Sequence, residues 1–359
     1  MLSEFAAFIY HVCYSALNML NSASVWMVIS FAIAGALHEF LSPEKMKKSS
    51  ICSSRISGVF WVTVFGMLIP ICSCGTIPLG ISLYYSGAYL GPTLAFMTSS
   101  PMINPIAVIL CWGLLGKEIT IIYVITGFVA PMLIGLHLPG IGEQDGQPAI
   151  LLEEEAVSFK DKLLSGLKWS FTELSVTVCK YAVSGMLIAG LIFNIFPQSA
   201  VQTYLGNPGI ISLFGITVVA ALMYVCAVGH IPFIAALVAS GAAPGVAITF
   251  LMAGASTNIP ELLTINRTIG KRAMIMYFFM VTVISNIVGY ITNQLLMPGF
   301  KPVLDYDASQ KTIRAANKLI FTAPLWLKYL CSFVLIAYAC VALVRIIKKQ
   351  IGSQTAELI

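Results

Sequence analysis

Two thiols one residue apart, Cys72 and Cys74, sit in the stretch Pro70-Ile-Cys-Ser-Cys-Gly-Thr-Ile-Pro78, where proline and glycine interrupt an apolar run. A thiolate is a soft ligand, and the amides exposed at a helix break acidify it, so the pair suits Cu(I), Zn(II) or a thiol-reactive metalloid. A related stretch comes later, Cys226-Ala-Val-Gly229-His230-Ile-Pro232. His230 is the only Asp, Glu, Lys, Arg or His among the 80 residues from 181 to 260, and it follows Cys226 by four positions, one face of a helix if the helix persists. A neutral imidazole bonded to a carbonyl is the bland alternative. Free cysteine is also a common small apolar filler, the expectation for Cys13, Cys52, Cys111, Cys179, Cys331 and Cys340. Nine cysteines is an odd count, and bridging across one intervening residue strains a disulfide, which argues against a structural bridge. If the two segments meet, Cys72, Cys74, Cys226 and His230 form a sulfur-rich substrate site, or a metal site should the cargo be a metal.

A second pair of breaks follows at Ser99-Ser100-Pro101-Met-Ile-Asn104-Pro105 and Ser256-Thr257-Asn258-Ile-Pro260-Glu261. Hydroxyl and amide side chains beside proline suit helix starts whose free amides hold a ligand, so Asn104 and Asn258 are substrate-binding candidates; ordinary capping accounts for them equally well. Glu261 and His230 are titratable and are the coupling candidates, unless Glu261 faces cytoplasmic water beside Arg267. The breaking residues Gly75, Pro78, Gly229, Pro232, Pro101, Pro105 and Pro260 are the expected hinges for gating. No phosphate loop is present: Gly116-Lys117-Glu118 and Gly270-Lys271-Arg272 lack the upstream glycine and the following hydroxyl.

The elements that position these residues are membrane helices. The chain is 58% apolar and 10% charged, where soluble domains run near ~25% charged, and residues 56–116 carry no charge in 61 positions. The net charge of +5 sits singly at the ends of apolar runs, which speaks for a bilayer and against nucleic acid. Runs of about 20 apolar residues predict spans at 22–41, 92–115, 119–138, 171–196, 243–264, 273–292 and 324–346. The stretches 57–87 and 210–241 are too long for one span and too short for two, and read as broken or re-entrant helices. The expectation is an all-α polytopic protein of the prokaryotic inner membrane with about 8–10 transmembrane segments. Its parts are a first repeat over 1–138, a charged cytoplasmic linker over 139–168, a second repeat over 169–292, an extracytoplasmic loop over 293–322, and a final helix with a basic tail over 323–359. Lys45, Lys47, Lys48 and Arg55 place the first loop in the cytoplasm, Arg345, Lys348 and Lys349 place the C-terminus there too, and the uncharged 197–209 falls outside.

The two halves repeat. An offset of 154 pairs Cys72 with Cys226, Gly75 with Gly229, Ile77 with Ile231, Pro78 with Pro232, Leu83 with Leu237, Ser86 with Ser240 and Gly87 with Gly241, seven of sixteen positions, where composition gives roughly one. The same offset pairs Gly116-Lys117 with Gly270-Lys271, and an offset of 155 pairs Ala34-Gly35 with Ala189-Gly190. The loops flanking equivalent helices differ in charge, so the repeats are expected to be inverted, as in many secondary transporters.

Three motifs carry a family resemblance: Cys-Ser-Cys-Gly-x-x-Pro-Leu at 72–79, Ser-Pro-x-x-Asn-Pro at 100–105, and Ala-Gly-x5-Pro-Glu-Leu-Leu-x-Ile-x-Arg-x-x-Gly-Lys at 253–271. With them the chain resembles the predicted-permease family that includes the organoarsenical efflux permeases, over residues 22–290. The resemblance implies export of trivalent organoarsenicals such as methylarsenite, with relatives implicated in export of other soft metals. It implies no cofactor and no enzymatic activity. Many relatives carry a second Cys-x-Cys followed by an acid where this chain has Val228 and His230, and an Arg where it has Tyr84-Tyr85. The partners expected are the lipid bilayer and a small-molecule or metalloid substrate; small-residue helix surfaces permit a homo-oligomer. The alternatives are a soft or divalent metal exporter for Cu or Zn, and a membrane thiol oxidoreductase cycling Cys72 and Cys74.

Overall fold

The computed structural model describes residues 2–40, 55–69, 73–85, 88–137, 159–195, 209–222, 227–239, 241–297, 299–300 and 323–356. Among these the secondary structure is entirely helical. The first half contains α1 (Leu2–Phe40), α2 (Arg55–Leu68), α3 (Ser73–Tyr85), α4 (Leu90–Met102), α5 (Pro105–Leu114) and α6 (Lys117–His137). In the second half α7 (Phe159–Trp169) runs through one π-helical turn (Ser170–Leu174) into α8 (Ser175–Ile195). There follow α9 (Ile210–Leu222), α10 (Ala227–Ala239), α11 (Pro244–Ser256), α12 (Ile259–Thr268), α13 (Lys271–Leu296) and, last, α14 (Leu325–Ala356).

Helix boundaries recur at the sequence offset of 154: 73–85 with 227–239, 90–102 with 244–256, and 105–114 with 259–268. Gly116 (φ 87°) and Gly270 (φ 134°) turn the chain into α6 and α13 at equivalent places, in a backbone region that side chains with a Cβ rarely enter. Contacts recur as well: α2 packs on α4 as α9 packs on α11, and α4 on α6 as α11 on α13. The two halves meet where α3 lies on α12, α10 on α5, and α4 on α11.

Lipid exerts no hydrophobic drive to pair helices, so close approach depends on small residues. Gly91 backs onto the Gly135 carbonyl where α4 crosses α6, and Gly245 backs onto the Gly289 carbonyl where α11 crosses α13, again 154 residues apart. Gly35 of α1 meets Gly166 of α7 in the same way. The outward surface is apolar and aromatic, with Trp112, Phe279, Trp326 and Phe333 among the exposed side chains, as hydrocarbon requires.

Among the described residues five helices are long and apolar enough to cross a membrane, and the bent pairs α4–α5 (41°) and α11–α12 (40°) raise this to seven. The expected 8–10 segments exceed that number because α2, α3, α9 and α10 have only 13 or 14 residues. At 1.5 Å per residue each reaches about 20 Å, short of a core ~30 Å thick. Two further differences concern the ends. Residues 159–168, expected as linker, are helical and pack on α1, because Leu163, Gly166 and Leu167 give that charged stretch an inward face. Helix α1 begins at Leu2 rather than near Ser22.

Packing sets the relative directions of the long helices. Ser24 Oγ donates to the Lys328 carbonyl at 3.1 Å and Ser332 Oγ to Asn21 Oδ1 at 2.5 Å, which sets α14 antiparallel to α1. Ser170 Oγ donates to the Phe31 carbonyl at 2.5 Å, and with Gly35 against Gly166 this sets α7–α8 antiparallel to α1 as well. The C-terminal ends of α1 and α14 therefore point opposite ways.

Candidate functional site

Both bent pairs break at an asparagine. At the first, Ile103 and Asn104 are extended, and Asn104 Oδ1 accepts the Ala107 amide at 2.9 Å to start α5 behind Pro105. At the second, Asn258 is extended, and its Oδ1 accepts the Glu261 amide at 3.1 Å to start α12, with Pro260 in the first turn. Each break thus presents the carbonyl end of one helix and the amide end of the next to the same interior space, partial charges of both signs. Ser99, Ser100, Asn104, Ser256, Thr257, Asn258 and Glu261 are all buried there. The Ser100 and Ser256 hydroxyls have no hydrogen-bond partner among the described residues; Ser256 sits beside the Tyr277 phenol but outside bonding geometry.

Glu261, expected either in the membrane or in water beside Arg267, is wholly buried. Pro260 packs on Gly185 of α8, drawing the first turn of α12 inward, while Arg267, six residues on and about 240° round the helix, is exposed. The carboxylate receives Asn258 Nδ2 at 3.1 Å on Oε2 and the Tyr277 hydroxyl at 3.3 Å on Oε1. Thr98 Oγ1 of the first half lies 3.4 Å from that hydroxyl and donates to the Leu94 carbonyl at 2.6 Å. Among the described residues Glu261 forms no ion pair, so neutral donors alone face its charge. An intramembrane acid without a basic partner is costly, and that cost is the mark of function.

The remaining candidates fall as follows. Cys72, Cys226 and Pro70 lie outside the described residues, as do the side chain of Cys74 and the burial of Gly229. Gly75 and Pro78 are buried in α3, which lies against α12. His230 is half-buried in the first turn of α10, its ring 6.1 Å from that of Phe250, and Pro232 is exposed two residues later. Pro101 and Pro260 are buried and Pro105 is exposed. The structure therefore gathers Asn258, Glu261 and Pro260, and packs α3 on α12 and α10 on α5 across the two halves. Among the described residues no three His, Cys, Asp or Glu side chains cluster as metal ligands. Sequence reasoning missed Thr98 and Tyr277. The offset of 154 pairs Tyr277 with Tyr123, and that match was the available signal.

Antiparallel long helices enclosing two helix pairs broken at buried polar residues define a multi-pass membrane protein of the transporter kind. The family described as predicted permease matches residues 10–294, and the chain belongs to it. Its relatives include UPF0718 protein MJ0584 of Methanocaldococcus jannaschii, 29% identical over 65% of this chain and 81% of that one. UPF0718 protein YcgR of Bacillus subtilis is 26% identical over 79% and 95%, and UPF0718 protein YraQ of Escherichia coli 21% identical over 76% and 78%. No solved structure matches the chain.

Proposed function

We propose that this permease is a secondary-type exporter of a soft, thiol-reactive solute, with trivalent organoarsenicals such as methylarsenite as the leading cargo. The observation that carries the reading is the pair of equivalent helix breaks at Asn104 and Asn258, buried inside the protein and lined by hydroxyls and amides. Irregular backbone at membrane depth is tolerated where it lines a path. The recurrence of helix boundaries and the antiparallel packing of α1 and α8 support two repeats of inverted topology, which would open the path alternately to each side.

In this reading Cys72, Cys74 and Cys226 hand the cargo along by thiol exchange. Each transfer forms one As–S bond as another breaks, a proton passes between the thiols, and arsenic stays trivalent. The position of α3 against α12 supports delivery from the thiols to the second break. The test is accumulation of methylarsenite, arsenite, Cu and Zn by sensitive cells expressing the chain. Lowered methylarsenite alone, restored by Cys72→Ser with Cys74→Ser, is the expected result; no change for any of the four overturns the cargo assignment.

A further inference from the structure

The duplication supplies an internal control for Glu261. Its equivalent 154 residues earlier is Ala107, also buried and also bound through its amide to an asparagine cap. The equivalent of Tyr277 is Tyr123, also fully buried, and its hydroxyl donates to the carbonyl of Met102 at the end of α4. The first half thus builds the same cap, bend and buried tyrosine with no carboxyl group. Glu261 is not needed for that architecture, and in the second half the tyrosine is turned from the backbone to the acid.

We propose that Glu261 is the proton-binding group that drives this permease, and that loading it reverses the Glu261–Tyr277–Thr98 hydrogen-bond chain. The inference rests on the export reading above. With the acid ionised, the Tyr277 hydroxyl donates to Oε1 within the second half. Thr98 spends its single hydrogen on the Leu94 carbonyl at 2.6 Å, so toward Tyr277 it presents lone pairs. A proton arriving on Oε1 makes the acid a donor to the Tyr277 oxygen. The tyrosine hydrogen then swings to Thr98 Oγ1, 3.4 Å away on α4. No bond other than O–H changes, and the net event is uptake of one proton. Loading therefore converts a bond internal to the second half into one that ties the halves together, which is what coupling a proton to alternating access requires.

Other ionisable groups stand apart from this chain. Of those on the elements packed against α12, Lys271 and Arg272 of α13, like Arg267 on α12 itself, are exposed at its far end. On α8, Lys180 lies over the Tyr181 ring at 4.5 Å and Cys179 is a buried thiol. On α3, Tyr84 and Tyr85 pack on each other, Tyr85 packs on Trp169, and Cys74 is at the helix start. Of the described groups, only Tyr277 and Asn258 bond to the carboxyl.

Two measurements test the proposal. In inside-out vesicles made acid inside, wild type takes up methylarsenite with a pH-dependent rate; Glu261→Gln loses at least tenfold and its residual rate is flat with pH, while Glu261→Asp restores part of the rate with a displaced profile. Gradient-driven, pH-dependent uptake persisting in Glu261→Gln overturns the proposal. Independently of any cargo, infrared spectra of the purified full chain show a protonated-carboxyl carbonyl stretch that titrates in wild type and is missing in Glu261→Gln. A band unaltered by the substitution, or none in wild type at any pH, overturns it too. Wild-type vesicles that take up no methylarsenite refute the cargo reading, and the infrared result then decides the proton site alone.

Discussion

The hydroxyl of Tyr277 lies 3.3 Å from Glu261 Oε1, whereas the hydroxyl of Tyr123, its equivalent in the first half, donates to the carbonyl of Met102. The two phenols therefore have separable roles. Tyr123→Phe strands a buried carbonyl, so melting in detergent should fall by about 1–3 kcal/mol of stability with the pH profile of transport unchanged. Tyr277→Phe should displace the pH profile, because the acid loses a donor that favours its charged form. Equal effects on both readouts in both variants would contradict this division.

The glycine crossings make a second prediction. A Cβ at Gly91 would meet the Gly135 carbonyl and one at Gly245 the Gly289 carbonyl, neither of which can move aside without shifting a helix. Gly91→Ala and Gly245→Ala should each cost about 1–3 kcal/mol, read as lower melting or lower membrane yield. Gly209→Ala and Gly299→Ala, with open space around the site, are the matched controls and should be neutral.

Ser100 and Ser256 bury hydroxyls that no described residue satisfies. Structural hydroxyls in that state cost stability, so Ser100→Ala and Ser256→Ala should leave melting unchanged or raise it by about 1 kcal/mol. If the hydroxyls line the path, efflux falls several-fold in the same variants; wild-type efflux in both would remove them from it.

Topology gives a fourth. The C-terminal end of α1 also bears the start of α7, and Trp169 at the end of α7 shares a small cavity with Tyr85 and Thr268. Lys160, Lys162, Arg267, Lys271 and Arg272 lie toward that end, and Lys45, Lys47 and Lys48 follow α1 in sequence, so the positive-inside rule predicts that it faces the cytoplasm. Reporter fusions at residues 48 and 150 should read cytoplasmic, and fusions at 200 and after 356 extracytoplasmic. A cytoplasmic reading after 356 together with one at 48 would contradict the antiparallel packing of α1 and α14.

Much of the fold was legible because lipid imposes strong rules. Long uncharged runs declared the helices, proline beside asparagine declared the breaks at 104 and 258, and the offset of 154 foretold helix boundaries that recur to the residue. The site was less legible. Thr98 and Tyr277 meet across 179 residues of sequence, and only helix packing brings them together. Glu261 read as ambiguous because Arg267 follows it closely, and the deciding contact, Pro260 on Gly185, is tertiary. The antiparallel packing of α14 on α1 was not legible either, since Ser24 meets the Lys328 carbonyl across 304 residues.

The most direct test of the export account is the rate of methylarsenite efflux from preloaded cells carrying wild type or the Cys72→Ser, Cys74→Ser double variant, with membrane levels matched. The account predicts rapid efflux by wild type and efflux at the level of empty cells by the variant. Equal efflux from the two would contradict the thiol path, and efflux by neither would contradict the cargo.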